Sequence, residues 1–199
     1  TKTSKAMWSR GKAIIGHNRK KTIGKVSDET AHPFVENTEF AMVHNGTLHN
    51  HKSLADTEVD SQALTKVLAD AFKETDFVPT LEETLGKVSG AYAVAMYDQR
   101  HNKVRLLRNK ERPLSYVETA DAFYFASEGA MLFWVLSRNN VSFQNVKINV
   151  VPEHTVIEFD LDTNTLTSTA VTPKKPLPPI TTPPVSYTHL RAHETDSYL

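Results

Sequence analysis

The chain has 199 residues, enough for one well-buried domain and short for two. Lys plus Arg and Asp plus Glu both number 23, so the net charge is zero and the balance argues against a partner bound through a polyphosphate backbone or an anionic membrane. There is no cysteine, which excludes disulfides, thiolate metal sites and a cysteine nucleophile from these residues. No apolar run approaches the roughly 20 residues of a membrane helix, and the opening TKTSKAMWSRGK lacks the apolar centre of a signal peptide. The expectation is a cytoplasmic protein.

In chain order, Thr1 to Lys12 is polar and basic with no period. Ala13 to Ile15 and Phe40 to Val43 are short apolar runs bounded by polar and turn residues, which predicts strands buried on both faces. Between them, Lys20 to Asn37 reads as a long loop carrying Gly24 and Pro33, a length that is usually functional or disordered. Asn45-Gly46, directly after the second run, is by itself a common hairpin turn signal. Thr47 to Thr57 is polar, and Asp60 is a candidate cap for a helix whose Leu64, Val67, Leu68, Ala71 and Phe72 share one face.

Thr80 to Glu83 has the pattern of a capping box opening a second helix to about Lys87. Gly90 to Asp98 and Val104 to Arg108 are predicted to form a hairpin turned by Gln99 to Asn102. Leu114 to Val117 and Phe123 to Ala126 make another pair, after which Ser127 is placed to cap a helix through Met131, Leu132, Val135 and Leu136. Further strands are expected at Val146 to Val151, Thr155 to Asp160 and Leu166 to Val171. Groups of strands with helices inserted between them indicate α+β rather than a regular βα alternation. Residues 173–184 read as a proline-rich linker. Residues 185–199 have no apolar period and resemble non-native read-through, leaving 1–172 as the domain.

The chemistry-bearing residues fall in one stretch: Gly16-His17-Asn18-Arg19, a Thr22-Ile23-Gly24 turn, Ala31-His32-Pro33, then His44-Asn45-Gly46. This order resembles the glutaminase domain of class II glutamine amidotransferases, which are N-terminal nucleophile hydrolases. The resemblance continues through Asp60-Ser61-Gln62-Ala63-Leu64, Ser89-Gly90-Ala91-Tyr92, Arg112-Pro113-Leu114 and Phe125-Ala126-Ser127-Glu128. It implies a four-layer α/β/β/α sandwich of two mainly antiparallel sheets, here lacking its first strands, and hydrolysis of L-glutamine to glutamate and ammonia. The nucleophile in that family is an N-terminal cysteine, so the resemblance further implies a fragment, inactive as it stands, whose beginning lies upstream.

On the same resemblance, the Asn45 side-chain amide and the Gly46 N–H are the oxyanion donors. Arg19 clamps the substrate α-carboxylate and Asp60 accepts from its ammonium, with Asp56 a second choice for that role. Thr22 and Gly24 shape the loop over the substrate. Lys20, Lys21 and Ile23 depart from the family's usual residues there. Neither a cofactor nor a metal is implied: no histidine pair lies at i, i+4 spacing within a predicted helix, and His17 and His44 are expected to make structural hydrogen bonds at strand ends. The implied partners are L-glutamine and a synthase domain or subunit that receives ammonia. Two other readings stay open: a non-catalytic amino-acid-binding module of the same fold, and a related hydrolase acting on another amide.

Overall fold

The computed structural model describes residues 12–17, 30–120, 122–139, 141 and 147–175. The first strands are β1 (Phe34–Glu36) and β2 (Phe40–Leu48), followed by helices α1 (His51–Leu54), α2 (Asp60–Ala71) and α3 (Val78–Lys87). Next come β3 (Gly90–Asp98), β4 (Lys103–Arg108), β5 (Ser115–Glu118), β6 (Phe123–Ala126) and α4 (Gly129–Arg138). The described part closes with β7 (Asn149–Val150), β8 (Thr155–Asp160) and β9 (Thr165–Ala170). They form a six-stranded sheet in the order β1-β2-β3-β4-β8-β9 and a three-stranded sheet in the order β6-β5-β7, and every strand pair is antiparallel.

Side chains alternate across each strand, and that alternation builds the layers. Phe40 and Met42 of β2, Tyr92, Val94 and Met96 of β3, and Leu107 of β4 share one face, buried against Leu64, Leu68 and Phe72 of the α2 region and Leu81 and Leu85 of α3. The opposite face presents Val43, Ala93, Ala95, Leu106 and Ile157 to Leu114, Val151, Tyr116, Phe123 and Phe125 of the second sheet's side. The outer face of that sheet, with Val117, Tyr124 and Ala126, takes Leu132 and Leu136 of α4. The result is α/β/β/α, the layering that the family resemblance implies. Truncating a fully buried member such as Leu68 to Ala costs about 2 to 5 kcal/mol.

Several boundaries differ from expectation. Ala13 to Ile15 is not a strand, having no ladder partner among the described residues, although Ile15 still packs on the cluster between the sheets. Strand β2 runs on to Leu48, and β1 lies inside the stretch read as a loop. Val59, not Asp60, is the N-cap of α2. Helix α3 starts at Val78 with Pro79 in its first turn, where a fixed φ and a missing N–H cost nothing, so Thr80 to Glu83 is not its capping box. Glu128, not Ser127, is the N-cap of α4. Within Val146 to Val151 only Asn149–Val150 is strand, and residue 146 lies outside the described residues.

Under α2 sits a charged network. Asp98, wholly buried, accepts from Arg105 Nη1 at 2.6 Å and from Arg100 Nε at 2.8 Å, while Arg105 Nε donates to Glu158 at 2.6 Å. The Arg105 guanidinium also lies 4.7 Å from the Phe72 ring centroid. After β9 the chain turns onto α3. The Thr172 N–H donates to the Glu82 carboxylate at 2.8 Å and the Lys174 N–H to the Glu82 carbonyl at 2.9 Å. Residues 176–199, covering most of the expected linker and tail, lie outside the described residues.

Candidate functional site

The site is built on the second half of β2, which is held from both sides. Across the ladder, His44, Asn45 and Gly46 oppose Val94, Ala93 and Tyr92 of β3. From the helix layer, Asp60 Oδ2 accepts the Leu48 N–H at 2.9 Å and its Oδ1 accepts the Ser61 N–H at 2.9 Å. Asp60 therefore joins the end of β2 to the start of α2. It is buried, with both carboxylate oxygens engaged.

His44 makes the second tie between these elements. It is 2% exposed, with Nδ1 2.9 Å from Ser61 Oγ and Nε2 3.4 Å from the Ala91 carbonyl oxygen. A carbonyl can only accept, so Nε2 carries the proton and Nδ1 accepts from the Ser61 hydroxyl. Burial pushes the His44 pKa below the usual histidine value, and the charges of His17 and Arg112 push the same way against the opposing pull of Asp60 and the Ala91 hydrogen bond. Neutral His44 is thus a fixed structural group, as expected of it, but within a strand rather than at its end.

Asn45 and Gly46 are not a turn. Both lie inside β2, because the ladder with β3 continues through them. Asn45 shares its strand face with Val43, turned from the helices toward the second sheet, and among the described residues its carboxamide has no hydrogen-bond partner. Gly46 has φ 157°, and a β-carbon there would collide with the Ala91 carbonyl oxygen. Only glycine fits so close to the neighbouring strand.

Arg19, Thr22 and Gly24 lie outside the described residues. The segment 12–17 leads toward them. Lys12 pairs with Asp162 at 3.6 Å beside the β8–β9 turn, Ile15 packs between the sheets, and the His17 ring lies 4.2 Å from that of His32. Asp56, the second choice for the ammonium contact, is exposed and pairs with Lys52 at 3.6 Å. The described structure thus ties Asp60 to the end of the strand that carries Asn45 and Gly46, with the Asn45 side chain on the sheet face turned away from α2.

Sequence reasoning missed two members of this neighbourhood. Ser61, the partner of His44, was legible only as the residue after Asp60. Arg112, whose charge bears on His44, has a buried Nε with no hydrogen-bond partner among the described residues, and it entered only as part of a motif. The described clefts lie elsewhere. One of about 860 Å³ sits at the other end of the sheets, by Val104, Phe123, Phe159 and Asp162, and one of about 370 Å³ is lined by Tyr92, Asn109 and His154. No group of three or more His, Cys, Asp or Glu among the described residues could hold a metal ion.

With this geometry in place, comparison with known proteins is informative. A family model described as a glutamine amidotransferase domain matches residues 3–166. The glutamine–fructose-6-phosphate aminotransferase (isomerizing) of Chlamydia trachomatis is 30% identical over 128 residues, covering 58% of this chain and 21% of its own length. That of Bacillus spizizenii is 27% identical over 162 residues, covering 76% of this chain and 27% of its own. Among solved structures, the glutamine phosphoribosylpyrophosphate amidotransferase of B. subtilis, complexed with ADP and GMP, aligns at TM-score 0.53 and 21% identity over 72% of this chain and 32% of its own. A glutamine aminotransferase class-II domain protein from Silicibacter pomeroyi aligns at TM-score 0.54 and 13% identity over 75% and 74%. At these identities the structural likeness speaks for the fold. The chain spans between 21% and 27% of the length of the two curated relatives.

Proposed function

Because the chain belongs to the glutamine amidotransferase domain family, we propose that the end of β2 is the oxyanion-binding edge of a glutaminase site. The Asn45 carboxamide N–H and the Gly46 backbone N–H are the donors for the oxyanion that forms when a nucleophile attacks the glutamine side-chain carbonyl. Collapse of that intermediate expels ammonia, and water then releases glutamate. The observation that carries this reading is the pairing of an unengaged Asn45 carboxamide with a glycine whose lack of a side chain is enforced by Ala91 and His44. Two donors held on a strand, itself tied to α2 and β3, need no reorganisation as charge develops.

Arg19 is assigned the substrate α-carboxylate, which a planar guanidinium can grip with paired N–H bonds. Thr22 and Gly24 are assigned the covering loop. Asp60 is assigned the α-ammonium, received on lone pairs left over from its bonds to Leu48 and Ser61. The nucleophile is a cysteine at the amino terminus of the mature polypeptide, as the family resemblance implies. The acceptor of ammonia is a synthase domain or subunit, and the setting is cytoplasmic.

The test uses a polypeptide that supplies the N-terminal cysteine. Asn45→Ala should lower glutamine turnover on the order of a hundredfold or more, with glutamine binding largely kept. Equal loss of turnover and binding would remove the oxyanion role. The alternative reading is a non-catalytic module of the same fold that binds glutamine. That reading predicts a calorimetric glutamine signal without ammonia release even when the upstream sequence is restored.

A further inference from the structure

Helix α4 covers the second sheet with Leu132 and Leu136, both buried, yet its other side is not polar as a surface helix requires. Met131, Trp134 and Val135 are 53%, 58% and 46% exposed. A tryptophan and a methionine left in solvent side by side, on a helix otherwise well seated, mark a contact surface rather than chance exposure. The Arg138 guanidinium lies 4.2 Å from the Trp134 ring centroid, so the stripe ends in a cation already aligned along it.

The charges at the two ends of the stripe fit a second copy of the same helix. Met131, Val135 and Arg138 lie four and three residues apart, the period of a helix–helix seam, and the exposed N-cap Glu128 stands three residues ahead of Met131. The pattern is its own complement when read in reverse. Two copies of α4 packed antiparallel about residue 133 place Met131 opposite the partner's Val135 and Glu128 opposite the partner's Arg138, each contact occurring twice about a twofold axis. Glu128 is exposed and forms no ion pair among the described residues. The charges also suit the helix termini, since the acidic N-terminus of one helix meets the basic C-terminus of the other with dipoles opposed.

We propose that α4 is a self-association surface whose occupant is α4 of a second copy of this chain, docked antiparallel through the Glu128, Met131, Val135 and Arg138 seam with Trp134 at its flank. A ten-residue helix is about 15 Å long, so the contact is smaller than the roughly 800 Å² per partner of a standard interface. Association is accordingly weak, with a dissociation constant on the order of 10 to 100 µM. The proposal does not depend on the glutaminase assignment.

Sedimentation velocity of the 199-residue chain across a range from about 1 to 300 µM tests it, since that range spans the expected constant. A monomer–dimer shift should appear, and Met131→Glu should abolish it. Glu128→Arg and Arg138→Glu should each weaken dimerisation about tenfold by setting like charges together, and the double variant should recover it. Circular dichroism checks that each variant stays folded, and the rescue by the double variant is a result that misfolding cannot imitate. A chain monomeric throughout, a dimer indifferent to Met131→Glu, or a double variant no better than the singles overturns the proposal.

Discussion

The His44 imidazole occupies the space that a side chain on Gly46 would need: a β-carbon at Gly46 would lie 2.6 Å from His44 Nε2. The buried histidine and the glycine two residues on are therefore one fitted unit on β2. Gly46→Ala has to displace the β3 backbone at Ala91, which the added carbon meets most closely, and the His44 ring as well. Overpacking of this kind costs about 1 to 3 kcal/mol, which urea denaturation should register as a lower midpoint with the slope unchanged. An unchanged midpoint would show that the strand has room there.

Ser61 donates to a His44 that is kept neutral, so stability should depend on pH in a defined direction. With the folded pKa below the unfolded value of about 6.5, the unfolded chain binds the proton more readily. The contribution is complete above about pH 6.5 and declines as pH falls toward the folded pKa. Wild-type urea midpoints should drop between pH 8 and pH 5.5 by more than those of His44→Gln. Ser61→Ala should cost about 1 to 3 kcal/mol at pH 8 by orphaning Nδ1. Parallel pH curves for wild type and His44→Gln would refute the assignment.

The elements were legible because the apolar run in GAYAVAMYD and the helical spacing from Leu64 to Phe72 are both local signals, whereas the layer order came only with the family resemblance. The hairpin at Gln99 to Asn102 carries its turn residues on the chain and forms as read. Asn45-Gly46 was ambiguous for the opposite reason. The same dipeptide that usually reverses a chain is here kept extended by β3, a partner more than forty residues away. Residues Thr47 and Leu48 look like loop until Asp60 is seen to accept the Leu48 N–H. The His44–Ser61 tie was likewise invisible, since nothing local says that a serine hydroxyl will meet that ring.

Asp98 illustrates a buried charge that its surroundings keep ionised. Desolvation would raise its pKa, but hydrogen bonds from Arg100 and His101 and the charge and hydrogen bond of Arg105 together hold it below the ordinary carboxylate value. Its contribution is present above about pH 4 and is lost as pH falls through the folded pKa. Asp98→Asn leaves Arg105, 2% exposed, short of its partner and should destabilise by about 3 to 5 kcal/mol at pH 7. The penalty should shrink when wild type and variant are compared near pH 3. A constant difference would mean that charge is not what the site requires.

Gly86 governs how the chain leaves the domain. A β-carbon there would strike the Lys174 carbonyl, so residues 172–175 can lie along α3 only because position 86 has no side chain. Gly86→Ala should lift this strap, breaking the bonds from Thr172 and Lys174 to Glu82. At about 1 kcal/mol net for each hydrogen bond lost, the open form becomes roughly thirtyfold more populated, and tryptic cleavage of the Lys174–Lys175 bond should accelerate in proportion. Glu82→Ala, which removes only the acceptor for Thr172, should give a smaller increase of about fivefold, whereas Glu82→Gln keeps a carbonyl oxygen and should leave cleavage nearer wild type. The helix itself should persist, because Leu81 and Leu85 stay buried against the sheet and its last carbonyl, at Lys87, accepts from Asn50 at 2.7 Å. Equal cleavage rates in all four proteins would place the strap off α3 in solution.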